Sequence, residues 1–213
     1  IDLLLHSPFL AWPQDELIDR KLHALPYLDK LGQVHALNWP GKTEDIISAR
    51  KVVHRENVEA SDFANKVRMS NFGGWIDGPQ LKATGRFRTK KLNGKWWLID
   101  PEGYLFFSIG TCMTGWKSET SANPERANGN FFSYLPGEDD YLHWTGIKKI
   151  NGQKFVNFPS LNYRRYFGEN WQDTVRQGIH DRMRSWGLNT LGCWSDRSLQ
   201  LDRKTPYVLI SSI

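Results

Sequence analysis

Between Arg86 and Ile99 apolar and polar positions alternate with a period of two, and Asn93-Gly94 interrupts the run midway. Both residues of a type I′ turn need positive φ, which Asn and Gly tolerate, so the pattern predicts a hairpin joining residues 86–92 to residues 95–99. Asp100-Pro101-Glu102-Gly103 then fits a type I turn, with Asp first, Pro second and Gly fourth. The stretch after it, residues 104–110, completes a three-stranded meander. It is almost wholly apolar, which predicts that both its faces are covered, as in a strand shared with a parallel sheet.

The period changes further along. Trp171, Val175, Ile179, Met183 and Trp186 step by four, four, four and three, which predicts a helix with Asn170 as its cap and Gly187 as the left-handed residue that ends it. A second helix is expected over residues 43–59. Thr43 is its candidate cap, Glu44 and Asp45 suit the positive end of its dipole, and Ile46, Ile47, Arg50 and Val53 set its period. Residues 1–41 read as a winding connector punctuated by Pro8, Pro13, Pro26 and Pro40, and Gly73, Gly74, Gly78 and Pro79 mark a loop. Residues 188–194 and 207–213 read as further strands, separated by a short polar segment.

Strand, helix, strand, short crossover, strand implies parallel pairing with right-handed connections, and so an α/β fold. A hairpin leading into such a series is expected to open a (β/α)8 TIM barrel, with residues 104–110, 188–194 and 207–213 as its first three strands. A doubly wound sheet would share the local pattern. However, Gly110-Thr111-Cys112-Met113-Thr114-Gly115 has neither the G-x-G-x-x-G spacing nor the Lys-Ser/Thr ending of a phosphate loop. Two domains are expected: residues 1–75, a connector with the possible end of an accessory β-sandwich, and residues 76–213, the start of the barrel. The first residue is Ile, and apolar runs occupy residues 1–5 and 207–213, so both ends are expected to be cut from a longer chain.

With 213 residues and 39% hydrophobic content, the chain can bury a sizeable core. No apolar run reaches the roughly 20 residues of a membrane span, and no membrane partner is expected. The net charge of +5 comes from interspersed residues, not from a block of like charges, so no nucleic-acid partner is expected. Cys112 and Cys193 are too few for a disulfide framework and are expected to be free thiols, and no Cys/His cluster has metal-ligand spacing. Neither metal nor cofactor is expected. The ten Trp residues change the picture more, because an indole suits stacking on a sugar ring.

Three stretches carry a family resemblance. They are Gly78-Pro-Gln-Leu-Lys-Ala-Thr-Gly-Arg-Phe with Lys95-Trp-Trp-Leu-Ile-Asp-Pro-Glu-Gly-Tyr-Leu-Phe-Phe-Ser-Ile-Gly110; Arg184-Ser-Trp-Gly-Leu-Asn-Thr-Leu-Gly-Cys-Trp-Ser-Asp196; and Asp29-Lys-Leu-Gly-Gln-Val-His with Asn38-Trp-Pro-Gly-Lys42. From about Pro26 onward the chain resembles the β-agarases of glycoside hydrolase family 50. It departs from that pattern at Cys193, where Asn is expected, and around Arg126 to Asn130. The resemblance implies a retaining hydrolase cleaving β-1,4 bonds in agarose and releasing neoagaro-oligosaccharides such as neoagarobiose. It also implies a polysaccharide partner and an extracellular or periplasmic site of action. The two catalytic carboxylates would follow barrel strands four and seven, so no catalytic residue is nominated in residues 1–213, and this stretch alone is expected to be inactive.

Candidate substrate-binding residues are those at the carboxyl ends of the strands, where barrels of this kind place their sites. Thr111 ends the first strand. Trp194 could stack on a galactose ring or pack against the next helix, and Ser195 and Asp196 could bind sugar hydroxyls or cap a short helix. Trp116 and Trp144 lie in a long loop, about residues 111–160, rich in Gly, Asn and aromatics. Glu119, Glu125, Glu138, Asp139 and Asp140 read as solvated loop carboxylates, and the six His residues as structural or surface groups. Two rival functions are a β-galactosidase-like barrel hydrolase and a non-catalytic carbohydrate-binding module, which would be all-β. A nucleic-acid surface on Arg86, Arg88, Lys90, Lys91 and Lys95 ranks third.

Overall fold

A computed structural model describes residues 26–116, 131–134 and 157–211. The chain divides into two compact units, Ile1–Asp45 with Ser121–Phe158, and Ile46–Thr120 with Pro159–Ile213. The helix that precedes residue 75 packs within the second unit.

In the first unit, short polar knots take the place of regular elements. The Asp29 carboxylate accepts from the backbone N–H of Leu31 and of Gln33, both at 2.9 Å, and from Gln33 Nε2 at 3.0 Å. Lys42 Nζ donates to the carbonyls of Val34 and His35 at 2.8 and 3.1 Å and to that of Leu37. These bonds explain why Asp29 to His35 and Asn38 to Lys42 read as motifs. Each charge is satisfied by backbone groups that no helix or sheet engages. Leu31 is buried, and Tyr27, Phe131, Phe132 and Phe158 form an aromatic row.

The second unit begins with helix α1, Ile46–Ala64. It starts three residues after the expected cap and runs five residues beyond the expected end. A four-stranded antiparallel sheet follows, made of β1 (Trp75–Gln80), β2 (Arg88–Leu92), β3 (Lys95–Ile99) and β4 (Tyr104–Phe106), in the order β1-β4-β3-β2. Asn93 and Gly94 take φ of 48° and 79°, as the predicted turn requires. The second predicted turn closes with Gly103 N–H donating to Asp100 O at 3.1 Å. Strand β1 lies where a loop was expected. Gly78 and Pro79 read as breakers, yet the irregular register between Trp75 and Gln80 accommodates them.

The expected strand over residues 104–110 is two strands. After β4 the chain leaves the antiparallel sheet, exposes Phe107 (71%) and resumes as β5, Gly110–Thr111, in a second sheet. A helix that the sequence pattern does not predict, α2 (Phe158–Phe167), begins at the end of the expected long loop and runs beyond it. Then come α3 (Trp171–Ser185), β6 (Thr190–Leu191) and α4 (Arg197–Leu201). The Asn170 side chain makes no capping bond to α3, whereas Gly187 does take the left-handed conformation, with φ 73°. Trp116, Trp171, Val175, Met183, Leu191 and Leu199 form one core cluster, in which the Trp116 and Trp171 rings meet edge to face at 5.6 Å. Among the described residues no helix is long and apolar enough to cross a membrane.

Candidate functional site

Two short strands define the site. Strand β5 pairs in parallel with β6, Gly110 beside Thr190 and Thr111 beside Leu191. Leu191 in turn forms a parallel bridge with Tyr207: its N–H donates to Pro206 O at 2.8 Å, and its carbonyl accepts from Val208 N–H at 2.9 Å. Three segments therefore run side by side in the predicted order and direction. They are shorter than the sequence pattern suggests. The expected strand over residues 188–194 is regular only at Thr190–Leu191. Of the expected strand over residues 207–213, the described part, 207–211, forms the Tyr207 bridge, with Val208, Leu209 and Ile210 exposed.

Side chains, as well as the ladder, tie β5 to β6. The Asn189 amide donates to Phe107 O at 2.9 Å and Gly73 O at 3.0 Å, and its oxygen accepts from Ile109 N–H at 2.9 Å. One amide thus satisfies the backbone groups freed where the chain changes sheets. Gly110 is required for the close approach, since a Cβ there would fall 1.6 Å from Thr190 O.

At the carboxyl ends the two following loops interlock. Met113 N–H donates to Cys193 O at 2.8 Å, Thr114 N–H to Ser195 Oγ at 3.2 Å, and Asp196 N–H to Thr114 O at 2.8 Å. Ser195 Oγ donates to Gly192 O at 2.8 Å. Asp196 Oδ1 accepts from the N–H and hydroxyl of Ser198 at 3.0 and 2.9 Å, making it the N-cap of α4. Ser195 and Asp196 are both buried, so their observed work is structural.

Trp194 stands differently. It is 74% exposed, with φ 59°. Thr111 is also exposed, its hydroxyl 2.6 Å from that of Thr114. Trp116 is 3% exposed, its indole packed in the core cluster. Trp144, together with Glu119, Glu125, Glu138, Asp139 and Asp140, lies outside the described residues. Cys112 and Cys193 are free thiols, as expected. Among the described residues no group of three or more His, Cys, Asp or Glu could hold a metal ion.

The amino ends of the parallel segments present a different surface. A cavity of about 130 Å³ lies there, lined by Leu188, Asn189 and Pro206 together with His180 and Thr205. His180 Nδ1 lies 2.8 Å from Thr205 Oγ1, and Nε2 lies 3.4 Å from Asp202 Oδ2. Burial holds the His180 pKa below its ordinary value, against the opposing pull of the Asp202 carboxylate.

No family model matches the chain. It is 31% identical over 212 aligned positions to β-agarase B of Vibrio sp. (strain JT0107), spanning 85% of this chain and 22% of that protein. To β-agarase A of the same strain it is 27% identical over 200 positions, 84% of this chain and 19% of that protein. Among solved structures it resembles the agarase AgWH50C with a TM-score of 0.74 and PfGH50B with 0.70. Each is 27% identical, covering 86% and 89% of this chain and 29% and 32% of the respective structures. A third, an exo-β-agarase, gives 0.68 at 27% identity, covering 87% of this chain and 31% of that structure. The chain thus spans about a fifth of the length of the curated relatives it matches. The resemblance to the family 50 β-agarases is borne out over most of the chain.

Proposed function

We propose that this chain forms the opening part of a (β/α)8 barrel in a retaining β-agarase, with β5, β6 and the Tyr207 segment as its first three staves. The observation that carries this reading is the parallel pairing of β5 with β6, because it brings the loops after both strands to one edge. That edge is where barrel enzymes bind substrate. Trp194 is the stacking residue, Thr111 a hydroxyl partner for the sugar, and Ser195 and Asp196 hold the loop that presents Trp194. Helix α3, Trp171–Ser185, argues against an all-β carbohydrate-binding module.

Retaining hydrolysis needs two carboxylates about 5 to 5.5 Å apart, one as nucleophile and one as acid/base. By family resemblance these follow barrel strands four and seven, so residues 1–213 supply substrate contacts and not the cleaving pair. The longer enzyme cleaves β-1,4 bonds of agarose outside the cytoplasm, behind an accessory β-sandwich domain.

The test is the full-length enzyme on two substrates. Release of neoagaro-oligosaccharides from agarose, with little action on aryl β-galactosides, is the expected result. Turnover of aryl galactosides alone would favour a β-galactosidase-like hydrolase.

A further inference from the structure

Four described residues other than glycine hold positive φ: Asn93, Met113, Trp194 and Arg203. Two have local explanations. Asn93 forms the turn between β2 and β3, and Arg203 follows α4, its N–H donating to Gln200 O. Met113, at φ 55°, lies in the bend after β5, and Trp194, at φ 59°, in the turn after β6. They occupy comparable places, just past the ends of two adjacent parallel strands. Both carry large apolar side chains left in solvent, at 60% and 74% exposure.

The left-handed region penalises any residue with a Cβ. Here the interlocked loops enforce it. The bond from Met113 N–H to Cys193 O joins the two backbones, Thr114 and Asp196 continue the seam, and a Cβ on Gly115 would fall 2.7 Å from Asp196 Cβ. An exposed apolar pair adds little to the core, and strain of this kind collects where the presented group is used.

We propose that Met113 is a substrate-positioning residue whose thioether extends the aromatic platform of Trp194, so that the C–H face of a hexopyranose ring rests across both. The proposal rests on reading this edge as a sugar groove. A flexible, polarisable thioether conforms to a puckered apolar face through dispersion. Having no strong hydrogen-bonding group, it leaves the orientation of the ring to hydroxyl contacts elsewhere. Such a contact acts alike on bound substrate and transition state, so its loss raises KM and leaves kcat in place.

The experiment compares Met113→Gly and Met113→Leu in the full-length enzyme, with agaro-oligosaccharides as substrate. Glycine accepts φ 55° without strain, so the first variant should keep or raise the wild-type Tm. Its KM should rise about five- to tenfold with kcat within about twofold, and Met113→Leu should recover most of the loss. An unchanged KM in Met113→Gly overturns the proposal. So does a joint fall in Tm and kcat, which would mark a structural role, or a leucine variant as weak as glycine. Wild-type enzyme that neither cleaves nor binds agaro-oligosaccharides overturns the sugar-groove reading itself, whatever the variants do.

Discussion

His180 shows how one buried side chain can make stability depend on pH. Its ring is 5% exposed and faces Thr205, Asp202, Lys204 and Asp181. Burial lowers its pKa most; Asp202 and Asp181 raise it and Lys204 lowers it. Because the folded pKa lies below the unfolded one, the folded state takes up its proton later as pH falls. The contribution of His180 is therefore complete above its unfolded pKa, near 6.5, and is lost progressively as pH drops below it. Thermal unfolding followed between about pH 7.5 and 5 should show a falling midpoint, and His180→Gln should flatten that slope. An equally steep slope in the variant would move the cause to another group. At this scale sequence and structure part most clearly over tryptophan. Trp194, at the mouth end of a parallel strand, and Trp116, in the long loop, both read as sugar platforms, yet one is exposed and the other is core. An indole serves both purposes, and neither its neighbours nor its spacing reveals which face the fold will cover.

Among the elements, those encoded by local chemistry were legible. The β2–β3 hairpin follows from Asn93-Gly94, and α3 from a spacing that places Trp171, Val175 and Met183 on one buried face. Strand β1 and helix α2 were missed, although Asn157 before Phe158 and Pro159 in the first turn form a recognisable helix start. The parallel strands were overextended for a different reason: an apolar run states that it will be covered, not by which sheet. Asn189 resolves that ambiguity by bonding both sides of the break between β4 and β5. Asn189→Ala should therefore cost about 2 to 3 kcal/mol in denaturant unfolding. Asn189→Asp should cost more, since it sets an oxygen against the Gly73 and Phe107 carbonyls. Gly110→Ala tests the same junction from the other side. Its Cβ would meet the backbone carbonyl of Thr190, which cannot rotate away, so a loss of about 3 kcal/mol or more is expected. Near-native stability in Gly110→Ala would mean that the β5–β6 ladder contributes little.

For the molecule as a whole, the described surface contains an apolar strip that ordinary solvent exposure does not explain. Tyr207, Val208, Leu209 and Ile210 are 45, 44, 65 and 56% exposed, and beyond the single bridge at Tyr207 they belong to no strand. Unpaired backbone beside consecutive apolar side chains is a template for association. If the proposed barrel is right, its following strand covers this strip. A polypeptide of residues 1–213 prepared alone should then self-associate in sizing chromatography and release no sugar from agarose. Charged substitutions such as Leu209→Lys should improve its solubility while harming the full-length enzyme, where the strip would be interior. A monodisperse isolated chain would show that the strip needs no cover, and one that cleaves agarose would place a working carboxylate pair within these residues. Either result would break the link between three short parallel segments and a larger barrel.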